Sequence, residues 1–292
     1  MKPVRSLLYV PANNSEWVAS APTKYEADAI IYDLEDAVPP EEKAHARNVL
    51  SEALPDAASE DTVFAVRVNP PDTTEFDADI DAIVREEVDV IVVPKLSTVE
   101  NVDRIAHVID YLETIRGLET PIQIALLPET AWGFTRTEEL CEATDRVSAL
   151  IGASSRGGDI ERALGFEWTK GADERRFFLS KLLMEGRAAG LNQFIAGPWL
   201  DVADTDGLTA EAEMVKQYGY TGFQVVHPDH VPIVNNVFTP SVTEAEEARE
   251  LLYAFDESDD DGVFQFDGQM VDIAHRKRAA QIVEQAKAFD VL

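Results

Sequence analysis

Short apolar or β-branched runs alternate along this chain with longer amphipathic stretches, the pattern of a parallel sheet whose strands are joined by helices. Ser6–Val10, Ala29–Leu34, Val63–Val68, Val90–Val93, Ile122–Leu127, Ala149–Gly152, Asn192–Ala196 and Gly222–Val226 predict strands. Helical spacing recurs between them, in Pro40–Leu54, Phe76–Glu87, Val99–Arg116, Glu174–Ala189 and Thr209–Tyr218. Thr98 is placed to cap the helix after it, and Pro39-Pro40-Glu41-Glu42 puts proline and acids in a first turn. Eight such units within about 230 residues predict a closed (β/α)8 barrel, a TIM barrel, over residues 1–234. No G-x-G-x-x-G or Walker-type loop follows the first strand, which removes the main reason to choose an open nucleotide-binding sheet. Residues 235–292 then form a C-terminal tail: a helix (Val242–Phe255), an acidic turn (Ser258–Asp261), the segment FDGQMVD and a last helix. Barrel closure does not require this tail, so it is expected to pack on, or swap to, a neighbouring subunit, or to cover a site.

Charge changes the picture of the surface. The 292 residues carry 55 Asp and Glu against 25 Lys and Arg, a formal net charge of −30, while hydrophobic residues at 45% leave ample material for a core. The acid is spread through the whole sequence, as in a solvated surface adapted to high salt. A site for a basic partner would concentrate it in a tail, and only Ser258–Asp261 resembles such a block. Nucleic acid is excluded as a partner, because its phosphates would be repelled. No run approaches the roughly 18 apolar residues of a membrane span, and the N-terminal apolar run is too short for a signal peptide, so a soluble cytoplasmic protein is expected. Cys141 is the only cysteine, which rules out an intramolecular disulfide and a thiolate metal site; its helical context predicts an inert thiol.

In a barrel the strand ends converge on one face, so the residues after each strand matter most. The second strand runs into Asp33, Glu35 and Asp36, the third carries Arg67 and Asn69, and Lys95 follows the fourth. Glu129 ends the fifth, Asp159 follows the sixth and His227 ends the eighth. Arg67 lies in an otherwise apolar strand and needs a partner. A substrate carboxylate or thioester oxygen would suit its planar fork, and so would an ion pair with Glu35 or Asp36. Glu129 and Asp159 read either as a two-carboxylate Mg²⁺ site completed by waters and substrate oxygens or as two unrelated surface acids. Lys95 follows Pro94 at the rim, which favours an electrostatic or structural role over a Schiff base. His227 and His230 lack a third metal ligand nearby, and backbone hydrogen bonding is the expected role of the strand-end histidine. Ser154-Ser155 lacks a nucleophile elbow.

Taken together the motifs resemble one family. RSLLYVPANN, ADAIIYDLEDAV, EEKAHAR, VRVNP, VVPKL, PET, GGDIERALG, GRAAG, GPWLDVADTDGL, GFQVVHP, FTPS and DGQMVD occur in order along nearly the whole chain. This is similar to the citrate lyase beta-subunit-like enzymes of the HpcH/HpaI aldolase superfamily, which include malyl-CoA, β-methylmalyl-CoA and citramalyl-CoA lyases. The resemblance implies a trimer or double trimer and Mg²⁺-dependent making or breaking of a C–C bond beside a CoA thioester. By motif position it implies Glu129 and Asp159 as Mg²⁺ ligands, with the metal polarising an oxo acid's carbonyl. It also implies Arg67 gripping substrate oxygens and Asp272 as an acid/base from a neighbouring subunit's tail. Glu35 and Asp36 would support the site from behind by orienting waters and Arg67. Arg5 and Lys24 are the candidates for the CoA phosphates. Ile273-Ala274, Ala196, Gln224 and the longer loop Ala153–Gly158 depart from the family pattern and bear on the choice of acyl group.

The leading expectation is a malyl-CoA-type lyase. A citrate lyase beta subunit acting on a citryl thioester carried by a protein is the alternative of the same fold. A non-catalytic barrel that binds oxo acids is the alternative of another class, and it has no need of Arg67, Glu129, Asp159 and Asp272 together.

Overall fold

The computed structural model describes residues 3–57, 62–257 and 263–292; the acidic turn Ser258–Asp261 lies outside them. Eight parallel strands close a barrel in sequence order: β1 Ser6–Pro11, β2 Ala29–Asp33, β3 Val63–Arg67, β4 Val90–Pro94, β5 Gln123–Leu127, β6 Val147–Ile151, β7 Gln193–Ala196 and β8 Gly222–Val225. Every position of β2, β3 and β4 is buried, as expected where helices cover the outside and side chains fill the inside. Closure brings β8 back to β1, with Leu7 opposite Gln224. Gly222 permits that approach, because a Cβ there would collide with the carbonyl oxygens of Val4 and Arg5.

Strand alternation builds the lumen in layers. Leu7, Ala29, Ile31, Val63, Ala65, Val90, Val92, Ala125, Leu127, Ala149, Ile151 and Ile195 pack together as its apolar filling. Two residues further along the same inward-facing rows stand Tyr9, Asp33, Arg67 and Glu129. The lumen therefore passes from wholly apolar to densely ionic at its C-terminal mouth.

Helices fall largely where spacing predicts them. Val99–Arg116 is capped by Thr98, whose hydroxyl accepts from the Asn101 N–H, and it ends on left-handed Gly117. The helix from Phe76 stops at Ile83 rather than Glu87, since Arg85 turns back to donate to the Ala82 carbonyl and three charged residues follow Val84. Ser15–Lys24 is a helix that spacing does not reveal; Pro22 interrupts its pattern, while Asn14 caps it. The short helix Asp159–Leu164 begins directly after Gly158. None of the helices among the described residues is long and apolar enough to cross a membrane.

Residues 236–292 form a second compact unit. In it Val242–Glu257 packs on Ile273–Ala288 around Ala248, Ala279 and Val283. Between them lies an antiparallel hairpin, β9 Val263–Phe266 and β10 Gln269–Asp272. Its two-residue turn is Asp267-Gly268, with φ of 45° and 78°, the geometry for which Asp-Gly is suited.

Candidate active site

The ionic layer is built on one cross-strand pair. Asp33 and Arg67 are register partners on β2 and β3, and Arg67 donates from Nε to Asp33 Oδ1 at 2.8 Å and from Nη2 to Oδ2 at 2.6 Å. Asp33 is fully buried and also accepts from the backbone N–H groups of Glu35 and Ala37, which fixes the loop after β2. That loop returns Glu35 to the same arginine, Oε2 lying 2.9 Å from Nη1. The Arg67 guanidinium lies over the Tyr9 ring, 5.0 Å from its centroid. Burial opposes its charge, yet Tyr9, Asp33 and Glu35 together raise its pKa well above the usual value. Asp33 takes two of its five N–H groups in hydrogen bonds, and Glu35 faces Nη1 as an ion pair without one, so the guanidinium keeps donor capacity for a substrate oxygen.

Lys95 is the second cation. Its Nζ lies 2.8 Å from Glu35 Oε1, 3.1 Å from Asp36 Oδ2 and 2.9 Å from Asp159 Oδ2. Burial works against its charge, but the hydrogen bonds to Glu35 and Asp159 prevail and raise its pKa. Asp159 also pairs with exposed Arg162. Glu35 is held between two cations, though burial still pushes its carboxyl upward.

Glu129 stands apart from these pairs. It is 8% exposed, and its Oε2 is buried with no hydrogen-bond partner among the described residues. Burial first, and then the neighbouring Glu35 charge, pushes its carboxyl up to about 8. Fully ionised, Asp33, Glu35, Asp36, Glu129 and Asp159 bring five negative charges against three positive ones on Arg67, Lys95 and Arg162. No group of three or more His, Cys, Asp or Glu side chains is arranged to hold a metal among the described residues. The donor set of Glu129 and Asp159 nonetheless fits Mg²⁺, a hard ion that keeps several waters and takes few protein ligands.

Tyr9 ties this layer to the other side of the barrel. Its hydroxyl donates to Gln224 Oε1 at 2.8 Å, and Gln224 Nε2 donates to the carbonyls of Ala196 and Gly197. Gln224 is thus a brace between β1, β8 and the end of β7.

The sequence-derived candidates are not all gathered here. Arg67, Glu129, Asp159, Glu35 and Asp36 share the C-terminal mouth, but Asp36 contacts Lys95 rather than Arg67. Arg5 and Lys24, expected at CoA phosphates, are not brought to this face. Arg5 precedes β1, at the N-terminal mouth, and is locked to Asp28 by contacts of 2.7 and 2.8 Å. Lys24 ends the helix that returns to that same mouth, where its Nζ lies 5.3 Å from the Tyr25 ring centroid. Asp272 belongs to the second unit. There its Oδ1 caps Ile273–Ala288 by accepting from the Ala274 and His275 N–H groups, with His275 Nδ1 at 2.7 Å. The contact with His275, followed by these backbone bonds, lowers its pKa and keeps it a carboxylate. His227 accepts from the Asp229 N–H, and His230 is buried against the Val202 carbonyl. Burial pushes the Cys141 thiol up to about 12, as an inert cysteine requires.

Residues 5–228 match the family model described as HpcH/HpaI aldolase/citrate lyase, and residues 172–291 match one described as a C–C bond lyase of the TIM-barrel fold. The chain belongs to the HpcH/HpaI aldolase/citrate lyase family. Its relatives include a citrate lyase subunit beta of Haemophilus influenzae, 30% identical over 99% of this chain and 98% of that one. A (3S)-malyl-CoA thioesterase of Cereibacter sphaeroides is 32% identical, with 98% and 96% covered. Among solved structures, CitE from Mycobacterium tuberculosis in complex with magnesium, acetoacetate and coenzyme A is 26% identical. It superposes with a TM-score of 0.76, covering 98% of each chain.

The unpartnered carboxyl of Glu129 sets a pH dependence that chelator-treated protein should display. Below 4.5, its ordinary value, Glu129 is protonated both folded and unfolded; between 4.5 and about 8 only the folded chain keeps the proton. The stability contributed by the neutral carboxyl is therefore present below 4.5 and lost as pH rises through about 8. Urea unfolding in chelator should show wild type losing stability relative to Glu129→Gln across that window. A wild-type-to-variant difference that does not change with pH would mean the carboxyl is ionised throughout.

Proposed function

We propose that this carbon–carbon lyase cleaves a 3-hydroxyacyl-CoA of the malyl-CoA type to an oxo acid such as glyoxylate and acetyl- or propionyl-CoA, with Mg²⁺ held by Glu129 and Asp159. The observation that carries the reading is the buried Glu129 oxygen without a hydrogen-bond partner, in the same layer as a guanidinium that Asp33 orients and leaves with donor capacity. The magnesium and coenzyme A in the solved relative support it, as does the malyl-CoA ester acted on by the Cereibacter relative. Mg²⁺ bound there supplies Lewis-acid polarisation of the oxo-acid carbonyl.

The protein's own residues supply the remainder. Arg67, fixed by Asp33 and Glu35 and unable to lose its charge, offers its free N–H groups to the substrate oxygen that becomes negative as the C–C bond breaks. Because its orientation is set before substrate arrives, little reorganisation is needed during reaction. In cleavage one proton leaves the hydroxyl and one is added at the thioester's α-carbon. In the condensing direction Asp272, held as a carboxylate, takes the proton from the α-carbon; in cleavage it first accepts the proton that the hydroxyl releases and then returns one to the α-carbon, so no proton is gained or lost overall. Asp272 acts from the tail of a neighbouring copy, in a homotrimer or homohexamer.

Turnover decides the reading. The protein is incubated in molar KCl with Mg²⁺ and malyl-, methylmalyl-, citramalyl- and citryl-thioesters, and products are identified by mass spectrometry. Glyoxylate with acetyl-CoA, or with propionyl-CoA, is expected. Malate with free CoA alone would make it a thioesterase, oxaloacetate from a carrier-bound citryl thioester would make it a citrate lyase beta subunit, and no product at all would leave a binding barrel. The in-trans role of the tail has its own test: Glu129→Gln and Asp272→Asn variants, each inactive alone, should regain about a quarter of wild-type activity when co-assembled. Co-assembly without recovery would mean that barrel and tail act within one chain.

A further inference from the structure

Lys95 stands at the junction of the site without belonging to any role assigned above. It directly follows β4 with φ of 52°, left-handed backbone that non-glycine residues seldom adopt. Its ammonium gathers carboxylates from two separate elements, Glu35 and Asp36 after β2 and Asp159 after β6. Of the two carboxylates assigned to the metal, Asp159 is already engaged by this fixed cation, while Glu129 Oε2 has no partner.

We propose that Lys95 is a tethered counter-cation that competes with the divalent cation for Asp159 and so sets the affinity of the metal site. The inference rests on the assignment of Glu129 and Asp159 as the metal's carboxylates. An ammonium that gives up Asp159 still keeps Glu35 at 2.8 Å and Asp36 at 3.1 Å, so its charge is not stranded by the exchange. Lysine suits this task. Its charge is compact and carried on a flexible stem, whereas the planar fork of Arg67 is clamped by a two-point contact with Asp33. Glu35, bridging Lys95 and Arg67, gives the displaced ammonium an anchor that does not move. With Lys95 in place, metal-free protein also keeps Asp159 and Glu35 from repelling each other. Lys95 is thus a positioning residue, acting on the metal through Asp159.

A competing cation and a structural strut predict opposite signs. Mn²⁺ is titrated into chelator-stripped full-length protein, with binding followed by electron paramagnetic resonance of the free ion and folding by circular dichroism. Lys95→Met should bind Mn²⁺ about tenfold or more tightly than wild type, because a like charge has been removed beside the ion. Lys95→Arg, which keeps the charge, should stay within about threefold of wild type. Unchanged or weaker binding by folded Lys95→Met would overturn the proposal and make the lysine a strut for Asp159. Should Lys95→Met fail to fold, Lys95→Gln gives the same reading with a polar side chain. Glu129→Gln is the control: if wild type and Glu129→Gln bind Mn²⁺ alike, the metal assignment fails and the inference falls with it. If Glu129→Gln loses binding but Lys95→Met does not gain it, only the inference fails.

Discussion

The two-point contact between Arg67 and Asp33 is the constraint on which the rest of this site depends. It sits where the apolar filling of the barrel ends, in rows set by strand alternation, with Asp33 wholly buried and Arg67 nearly so. A buried charge without a partner costs several kcal/mol, on the order of 3–5 when one member of such a pair is removed, so neither residue can change alone. The pair also shapes backbone. Asp33 holds the Glu35 and Ala37 N–H groups, and the loop they define returns Glu35 to Arg67 and onward to Lys95. One interaction thereby fixes the direction of the guanidinium and the position of the next carboxylate.

From that anchor the charge is unevenly shared. Glu35 lies in ion-pair distance of two cations, Arg67 and Lys95, while Glu129 faces the same lumen with no ion pair among the described residues. Asp33, Glu35, Asp36 and Asp159 each face a cation, and Glu129 is the carboxylate of this layer without an ion pair among the described residues. The acids of the segment IIYDLEDAV accordingly serve as partners for Arg67 and Lys95. In the ionic mouth, Asp33, Glu35, Asp36 and Asp159 meet specific cationic partners at 2.6–3.1 Å.

Much of this was legible in the sequence, for physical reasons that can be named. The β2, β3 and β4 runs are buried on both faces and so are apolar up to the terminal Asp33 and Arg67, which makes strands stand out from the amphipathic helices between them. Glu129 and Arg67 were visible as lone charges ending or interrupting such runs. Asp33 was seen only as one of three rim acids. Counting by twos from Ile31, and from Ala65 to Arg67, would have put it inward and opposite the arginine. Lys95 was harder to place, because its left-handed backbone sends the side chain where no periodicity foretells. The hairpin Val263–Asp272 carries its own sign, Asp-Gly between two apolar-rich runs, and its one buried position, Val271, pairs with Phe264, which packs on Phe255. Arg5 lay before its strand, and that order already placed it at the mouth away from the other candidates.

The central claim is that the divalent cation is held by Glu129 and Asp159, with Asp33, Glu35 and Arg67 as the frame around it. Anomalous scattering from crystals soaked in Mn²⁺ tests this most directly. The account predicts a single peak in the barrel mouth, in contact with the Glu129 and Asp159 carboxylates. A peak on Glu35 and Asp36 instead, or none in the mouth, would contradict it.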